Sequence, residues 1–251
     1  MERDAVDLGT SRVATLFRRY FLPTLFGMLS ISAMTAVDGI FIGHGVGSDG
    51  IAAVNIGIPL LMIFTGLGLM SGVGCSVVAS VHLSAGRVKA ARLNVTQALI
   101  FVTALTVPVV VAIMLFCEPV ARLLGSSDTL LPLVKDYMIW FLPGLIPQMW
   151  VAVGLFVVRL DGAPNYAMWC SVVPALANIF LDWLFVFPLD GGVAGAAIAS
   201  TISQGMGGIM VLAYIAGFAK TLRPYMPKFN AKSLRLSLRN IGYHCRIGSS
   251  A

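Results

Sequence analysis

The sequence LNVTQALIFVTALTVPVVVAIMLF, residues 93–116, contains no charged side chain in 24 positions. As an α-helix it is about 36 Å long at 1.5 Å per residue, which exceeds the roughly 30 Å thickness of a bilayer's hydrocarbon layer. A β-barrel strand needs only about ten residues and alternates apolar with polar side chains, so an unbroken apolar run of this length favours a helix. Residues 93–116 therefore predict a membrane-spanning helix.

Five further apolar segments have the same character. The six predicted spans are about 20–43, 51–83, 93–116, 130–158, 166–187 and 192–218. The whole chain is 58% hydrophobic and 11% charged, with a mean hydropathy of +0.89. Soluble domains carry roughly 25% charged residues, so a soluble chain of this composition would lack the polar surface to cover itself. The predicted fold class is an all-α polytopic membrane protein with six transmembrane helices.

The basic residues alternate in density from one loop to the next. The tail at residues 1–19 and the second, fourth and sixth loops hold fifteen of the 17 Lys and Arg residues. Arg122 and Lys135, in or beside the third loop, are the other two. Basic loops face the cytoplasm, so we expect a cytoplasmic N-terminus in the plasma (inner) membrane. The net charge of +6 is thereby a topology signal and does not indicate binding to nucleic acid.

The sixth loop differs from the short, turn-rich connections before it. Residues 220–240 are basic and contain Pro224 and Pro227, which predicts a cytoplasmic linker after a six-helix bundle at residues 20–219. Residues 241–251 are expected to begin a seventh helix that is cut short. Six spans, a long linker and a new start are typical of the first half of a two-bundle transporter. We therefore expect a second bundle as the missing partner of this one.

No motif in the chain indicates an enzyme. It contains no phosphate-binding loop, no HExxH or GxSxG sequence, and no Cys/His cluster. The four cysteines are widely separated, which predicts neither a disulfide framework nor a metal site. We expect no catalytic residue and no cofactor.

Two acidic residues inside the predicted spans are the strongest functional signal. Asp38 in the first span and Asp182 in the fifth each lie about five residues from the same end of the predicted bundle. An Asp at the centre of a spanning helix costs about 2.5–3.5 kcal/mol, so such residues usually face a polar interior. Near a span end, contact with interfacial water is the alternative explanation. Their equal depth on two spans favours a shared functional site.

Asn178 lies one helical turn before Asp182, on the same face of the fifth span. Two carboxylates and an amide oxygen are a plausible set of ligands for Na⁺. The same groups also suit a proton, because two carboxylates in a desolvated pocket do not both ionise cheaply. The residues leave H⁺ and Na⁺ open as the bound ion.

The sixth span begins with small residues, for which close helix packing is the usual explanation. A narrower hypothesis adds the hydroxyl of Ser200 or Thr201, and the carbonyl of Ala196, to the site of the two aspartates. Small residues would let the backbone of this span approach the fifth span closely. The two explanations remain open at this point.

Several short sequences occur here in an order that resembles the multidrug and toxic compound extrusion (MATE) family. They are DGIFIG at 38–43, GIAA at 50–53, SAGRVKAA at 84–91, RLDGAPNYA at 159–167, NIFLD at 178–182 and GAAIAS at 195–200. The resemblance implies one six-helix lobe of a twelve-helix transporter that exports drugs or organic cations in exchange for H⁺ or Na⁺. It also implies a coupling site at Asp38, Asn178 and Asp182, with Ser200 where the family often has Thr.

Two other functions remain as alternatives. A flippase of lipid-linked saccharides with a related fold would be expected to place basic residues inside its spans, and here none lies well inside one. A membrane scaffold that transports nothing would tolerate replacement of Asp38 and Asp182 by Asn. An antiporter of small organic molecules, with membrane lipid as its surroundings, is the leading hypothesis.

Overall fold

A computed structural model of the protein describes residues 13–224 and residue 242. Eight α-helices form this part: α1 Val13–Gly45, α2 Ser48–Ser84, α3 Val88–Leu115, α4 Cys117–Leu123, α5 Leu131–Phe141, α6 Leu145–Leu160, α7 Pro164–Val186 and α8 Gly192–Ala213. A 3-10 turn, Leu142–Gly144, joins α5 to α6, and a π-helical turn, Tyr214–Phe218, follows α8. The described residues contain no β-strand.

The all-α fold with six spanning helices is confirmed. Six helical segments are long and apolar enough to cross a membrane, and α5, the 3-10 turn and α6 together make the fourth of them, Leu131–Leu160. Pro143 lies in the 3-10 turn, where its missing N–H explains a local change of helix type. Helix α1 begins before residue 20 because Arg18 and Arg19 continue the helix beyond the apolar run.

The third connection differs from its prediction, and most of the predicted linker and seventh helix lies outside the described residues. The third connection contains the short helix α4, which the sequence analysis missed; Glu118 in its first turn and Arg122 in its last suit the helix dipole. Of the predicted linker, only residues 220–224 are described, and they continue directly from the turn after α8. The predicted start of a seventh helix, apart from residue 242, lies outside the described residues.

Helix α6 lies at the centre of the bundle, in contact with α2, α3, α7 and α8. Glycines let it approach two of these neighbours closely. A Cβ placed at Gly72 of α2 would lie 2.9 Å from the Ala152 carbonyl oxygen of α6, and one placed at Gly154 of α6 would overlap Val211 of α8. In lipid the hydrophobic effect does not drive helices together, so close van der Waals packing through small residues stabilises their contacts.

Four hydrogen bonds from polar side chains join helices of the bundle. They run from Gln148 Nε2 to Thr65 Oγ1 (3.1 Å), Trp150 Nε1 to Thr103 Oγ1 (2.8 Å), Asn94 Nδ2 to the Cys75 carbonyl (2.9 Å) and Tyr166 Oη to the Met210 carbonyl (3.1 Å). Each bond joins two different helices. These side chains act in packing, as expected for amide and hydroxyl groups within a membrane bundle.

Helix α1 is held to the bundle mainly through α7. Near one end, a Cβ at Gly27 would lie 3.6 Å from Ser171 Cβ; near the other, Gly45 faces Val186. Residue numbers rise together along this contact, so α1 and α7 are parallel. The rings of Phe41 and Phe187 meet edge to face with centroids 5.6 Å apart. This contact fixes how far α1 is shifted along α7.

Candidate functional site

Asp38 and Asp182 are brought to the same level of the bundle. Asp38 is eleven residues after Gly27, and Asp182 is eleven residues after Ser171, the residue that Gly27 faces. Both helices rise about 1.5 Å per residue, so both aspartates lie about 16 Å beyond this shared contact. The equal depth predicted from the sequence thus follows from the packing of α1 on α7.

The three residues of the cluster are buried to different degrees. Asp182 and Asn178 are each 0% exposed, one turn apart on α7. Asp38 is half-buried, and its Oδ1 atom is inaccessible to solvent. Pro174, one turn before Asn178 on the same face of α7, is also buried.

None of the buried polar atoms in this cluster has a hydrogen-bond partner. The atoms are Asp38 Oδ1, both carboxylate oxygens of Asp182, and the oxygen and nitrogen of the Asn178 amide. One further atom of this kind occurs in residues 13–224, Thr106 Oγ1 in α3. A buried polar group without a partner costs about 1–3 kcal/mol, and more when it is charged. Five such atoms in one place mark this cluster as a candidate binding site.

The two carboxylates interact electrostatically with each other. No Lys, Arg or His side chain of the described part forms an ion pair with either of them. Two close carboxylates in a water-poor environment are strained when both are ionised. A proton or a monovalent cation between them removes that strain.

Tyr137 of α5 is a fourth residue near the site, and the sequence analysis missed it. Its buried side chain interacts electrostatically with both Asp38 and Asp182. The ring stacks on Phe141 with centroids 5.0 Å apart, and a Cβ at Gly57 would lie 3.0 Å from it. A tyrosine in an apolar run gives no sequence signal of this kind, because its proximity depends on how α5 crosses α2.

Helix α8 closes another side of the cluster. Ala196 packs in one apolar group with Ile42 of α1 and Val186 of α7, immediately beside the helices that carry the aspartates. Ser200, one turn further along α8, is 8% exposed. Its hydroxyl makes no hydrogen bond with Asp182, since neither oxygen of that carboxylate has a partner.

The structure directs the Thr201 hydroxyl to a different partner. Thr201 Oγ1 donates a hydrogen bond of 2.6 Å to the Trp140 carbonyl at the end of α5. Successive residues of a helix point about 100° apart, so Thr201 faces α5 while Ser200 is turned away from it. The hydroxyl candidate that remains on α8 is Ser200.

The donor set determines which ion fits. Within residues 13–224, no three His, Cys, Asp or Glu side chains are placed together to hold a metal ion. Asp38, Asn178 and Asp182 instead offer carboxylate and amide oxygens, which suit a hard cation or a proton rather than a transition metal. The arrangement fits H⁺ and Na⁺ equally.

The chain matches a known protein family and is similar to named transporters. The MatE family profile matches residues 23–184, a range that contains Asp38, Asn178 and Asp182. The chain is 26% identical over 205 residues to the FAD transporter of Shewanella oneidensis, which covers 80% of this chain and 45% of that protein. It is also 26% identical over 205 residues to the multidrug export protein MepA of Staphylococcus aureus, over 81% of this chain and 45% of that one.

A solved structure shares the fold. The outward-facing structure of a multidrug resistance MATE family transporter of the MOP superfamily superposes with a TM-score of 0.79 at 24% identity, covering 91% of this chain and 51% of that one. The chain therefore spans about half the length of the relatives it matches. Because the family profile covers more than half of the chain, the protein belongs to the MatE family, the multidrug and toxic compound extrusion family that its sequence resembles.

Proposed function

We propose that the complete protein is an antiporter that exports drugs or other small organic molecules in exchange for H⁺ or Na⁺ by alternating access. The coupling ion binds between Asp38 and Asp182, with Asn178 as a further oxygen ligand. Ser200 and the Ala196 carbonyl border the same pocket from α8. The observation that carries the proposal is the cluster of five buried polar atoms without partners, shared between α1 and α7.

The ion acts on the packing of two helices. Helix α1 is attached to the bundle mainly through α7, and the two carboxylates lie at the same level of that contact and interact electrostatically. With an ion bound, α1 and α7 are held together at this level; without it, repulsion between the carboxylates favours their separation. An ion that binds one arrangement more tightly shifts the equilibrium between the two. That shift is the coupling step of the transport cycle.

The names of the relatives define the substrates to test. One relative is named for multidrug export and another for FAD transport. A fluorescent organic cation such as ethidium represents the first group, and FAD, an anionic dinucleotide, represents the second. We propose organic cations as the preferred class, because the acidic residues that reach the interior of the described spans are Asp38 and Asp182 and no basic residue is paired with them.

The charge distribution supports an N-terminus on the cytoplasmic side of the plasma (inner) membrane. The two basic residues that depart from the alternating pattern are neutralised by neighbours. Arg122 Nη1 lies 2.6 Å from Asp128, and both Arg122 and Lys135 lie within 3.4 Å of Glu118. The rule follows the number of Lys and Arg residues and not the net charge, so the orientation rests on the count of fifteen basic residues against two.

The experiment is gradient-driven transport by the complete protein in proteoliposomes. Ethidium or FAD is followed while a pH gradient or a Na⁺ gradient is imposed separately, with wild type beside Asp38→Asn. The proposal expects substrate movement under one of the two gradients and its loss in the variant. Asp136→Asn, an exposed acid on α5, is the matched control and retains transport.

Two outcomes overturn the proposal. If neither gradient moves either substrate, antiport of small organic molecules is wrong, and the flippase and scaffold hypotheses are tested next. If transport is coupled but Asp38→Asn retains it, the coupling site lies elsewhere in the protein.

A further inference from the structure

Asp161, in the turn after α6, binds the chain where it leaves α8. Its Oδ2 atom accepts hydrogen bonds from Tyr214 Oη and the Lys220 backbone N–H, each 2.9 Å long. Its Oδ1 atom accepts the backbone N–H groups of Thr221 (2.9 Å) and Leu222 (3.1 Å). Four hydrogen bonds fix residues 220–222 against the α6–α7 turn and occupy both carboxylate oxygens.

Two arginines donate hydrogen bonds to backbone carbonyls of the same segment. Arg92 Nε, near the start of α3, donates to the Thr221 carbonyl at 2.7 Å. Arg223 Nε donates to the Ala219 carbonyl at 3.0 Å. A guanidinium has five N–H donors, and each of these bonds uses one. The terminal nitrogens of both side chains have no partner in the described part of the chain.

Arg159 is a third arginine at this end of the bundle, in the last turn of α6 and two residues before Asp161. Its side chain is half-buried, yet within residues 13–224 it has neither a hydrogen bond nor an ion pair. Removing a cation from water without supplying an anion costs free energy. Asp161 does not supply that anion, because its oxygens are already taken by the four bonds described above.

We infer that Arg92, Arg159 and Arg223 form a binding site for the phosphate of an anionic phospholipid headgroup. Guanidinium groups bind phosphate oxygens in pairs of parallel hydrogen bonds. Arg92 and Arg223 both donate to carbonyls of residues 219–223, and Arg159 lies two residues before Asp161, which binds the same segment. Asp161 positions that segment and thereby positions two of the three arginines. It is a positioning residue and does not contact the phosphate.

The position of the site at the ends of two spanning segments favours a lipid as the source of the phosphate. Arg92 lies one turn inside the spanning segment Val88–Leu115, and Arg159 is the penultimate residue of Leu131–Leu160. Side chains at the ends of spans reach the headgroup layer, where basic pockets between helices bind anionic lipid headgroups. The assignment to the cytoplasmic leaflet rests on the orientation given under the proposed function; lipid binding itself is measured without transport.

The test is a calorimetric titration of the complete protein in detergent with short-chain phosphatidylglycerol. Phosphatidylcholine of the same chain length is the zwitterionic control, and inorganic phosphate is the soluble one. Phosphatidylglycerol is expected to bind more tightly than both. Each basic residue near an anionic lipid contributes about 1 kcal/mol, so Arg159→Gln and Arg223→Gln are each expected to weaken binding about fivefold.

Arg87→Gln is the matched control. Arg87 is an exposed arginine at the same end of the bundle, in the α2–α3 turn, and its removal changes the net charge equally. It should leave the affinity nearly unchanged. The more exposed Arg223 keeps the test valid if Arg159→Gln fails to fold.

Three results overturn the inference. Equal binding of phosphatidylglycerol and phosphatidylcholine shows that the headgroup charge is not recognised. A loss in Arg87→Gln as large as that in Arg159→Gln shows a diffuse surface effect instead of a site. Inorganic phosphate that binds as tightly as the lipid shows a soluble anion as the ligand. Because none of these depends on transport, failure here leaves the proposed antiport intact.

Discussion

Asp38 and Asp182 stand at the same level of two parallel helices, each eleven residues beyond the contact between Gly27 and Ser171. Neither carboxylate is paired with a base in the described chain, and Asp182 has no hydrogen bond at either oxygen. The helices are therefore held together at this point by neighbouring packing, such as Phe41 on Phe187, against repulsion between the two carboxylates. Under the proposed function, that balance is what makes their contact sensitive to a bound cation.

Replacing Asp182 by Asn tests how much the two close carboxylates lower the stability of the folded protein. We expect Asp182→Asn to be more thermally stable than wild type in Na⁺-free buffer at mildly alkaline pH, because the variant removes a buried charge and its repulsion from Asp38. A gain of about 1 kcal/mol corresponds to a rise in Tm of roughly 2–4 °C. The measurement is thermal unfolding of the detergent-solubilised complete protein. Asp136→Asn, at an exposed site, should leave Tm unchanged; a lower Tm in Asp182→Asn would show that the carboxylate stabilises the fold.

Much of this cluster was accessible from the sequence, for a physical reason. An ionisable residue in an apolar run is expensive, so Asp38 and Asp182 stand out without any structure. Their distances from the helix ends were less reliable: Asp38 is seven residues before the end of α1, and Asp182 is four before the end of α7. The packing of Gly27 and Gly45 on α7, which sets their relative level, is a property of the folded pair.

Other parts of the site depend on how the helices are rotated and crossed, which no local pattern encodes. Ser200 and Thr201 are neighbours in the sequence, but only the rotation of α8 decides that Thr201 faces α5. Tyr137 approaches the aspartates only because α5 crosses α2 at Gly57. The sequence gives no sign of the role of Asp161, because its hydrogen-bond donors come from a segment some sixty positions later.

Tyr137→Phe tests the contribution of its hydroxyl to ion binding. The ring keeps its stacking on Phe141, so we expect little change in Tm. The hydroxyl dipole lies in the field of both carboxylates but makes no hydrogen bond with Asp38 Oδ1 or with either oxygen of Asp182, so it contributes less than a hydrogen bond to a charged group, which is about 1.5–3 kcal/mol. The variant should therefore shift the ion concentration for half-maximal transport measurably, but by less than about tenfold.

The control for this prediction is Tyr166→Phe, whose hydroxyl bonds the Met210 carbonyl. It should change stability and leave the ion dependence as in wild type. If both variants shift the ion dependence equally, the effect comes from the bundle in general and not from the site.

Gly154→Ala tests the close packing of α6 on α8. The added Cβ would overlap Val211, which is fully buried and has no room to move. Overpacking of this kind costs about 1–3 kcal/mol, so we expect a clear fall in Tm. Gly205→Ala on α8, where a Cβ meets nothing within 4 Å, should be neutral or slightly stabilising because Ala favours the helix. Equal Tm values for the two variants would contradict the packing described for α6.

Glu118 allows a prediction of pH dependence outside the spans. Hydrogen bonds from Arg122 and Lys135 lower the pKa of Glu118 below its ordinary value of 4.5. A carboxylate whose pKa is lower in the folded state stabilises the protein above the unfolded value, and this contribution disappears as the pH falls through the folded value. Glu118→Gln should therefore be less stable than wild type at neutral pH, and the difference should shrink as the pH falls below 4.5 and vanish below the folded pKa of Glu118.

The effect of Glu118 is expected to be small, because all three side chains are largely exposed and surface ion pairs are weak. Thermal unfolding of wild type and Glu118→Gln across this pH range, at low and high salt, provides the measurement. High salt should reduce the difference at neutral pH by screening the charges. A deficit in the variant that persists unchanged in acid would mean that Glu118 acts through packing at α4, since protonated Glu and Gln are both uncharged there.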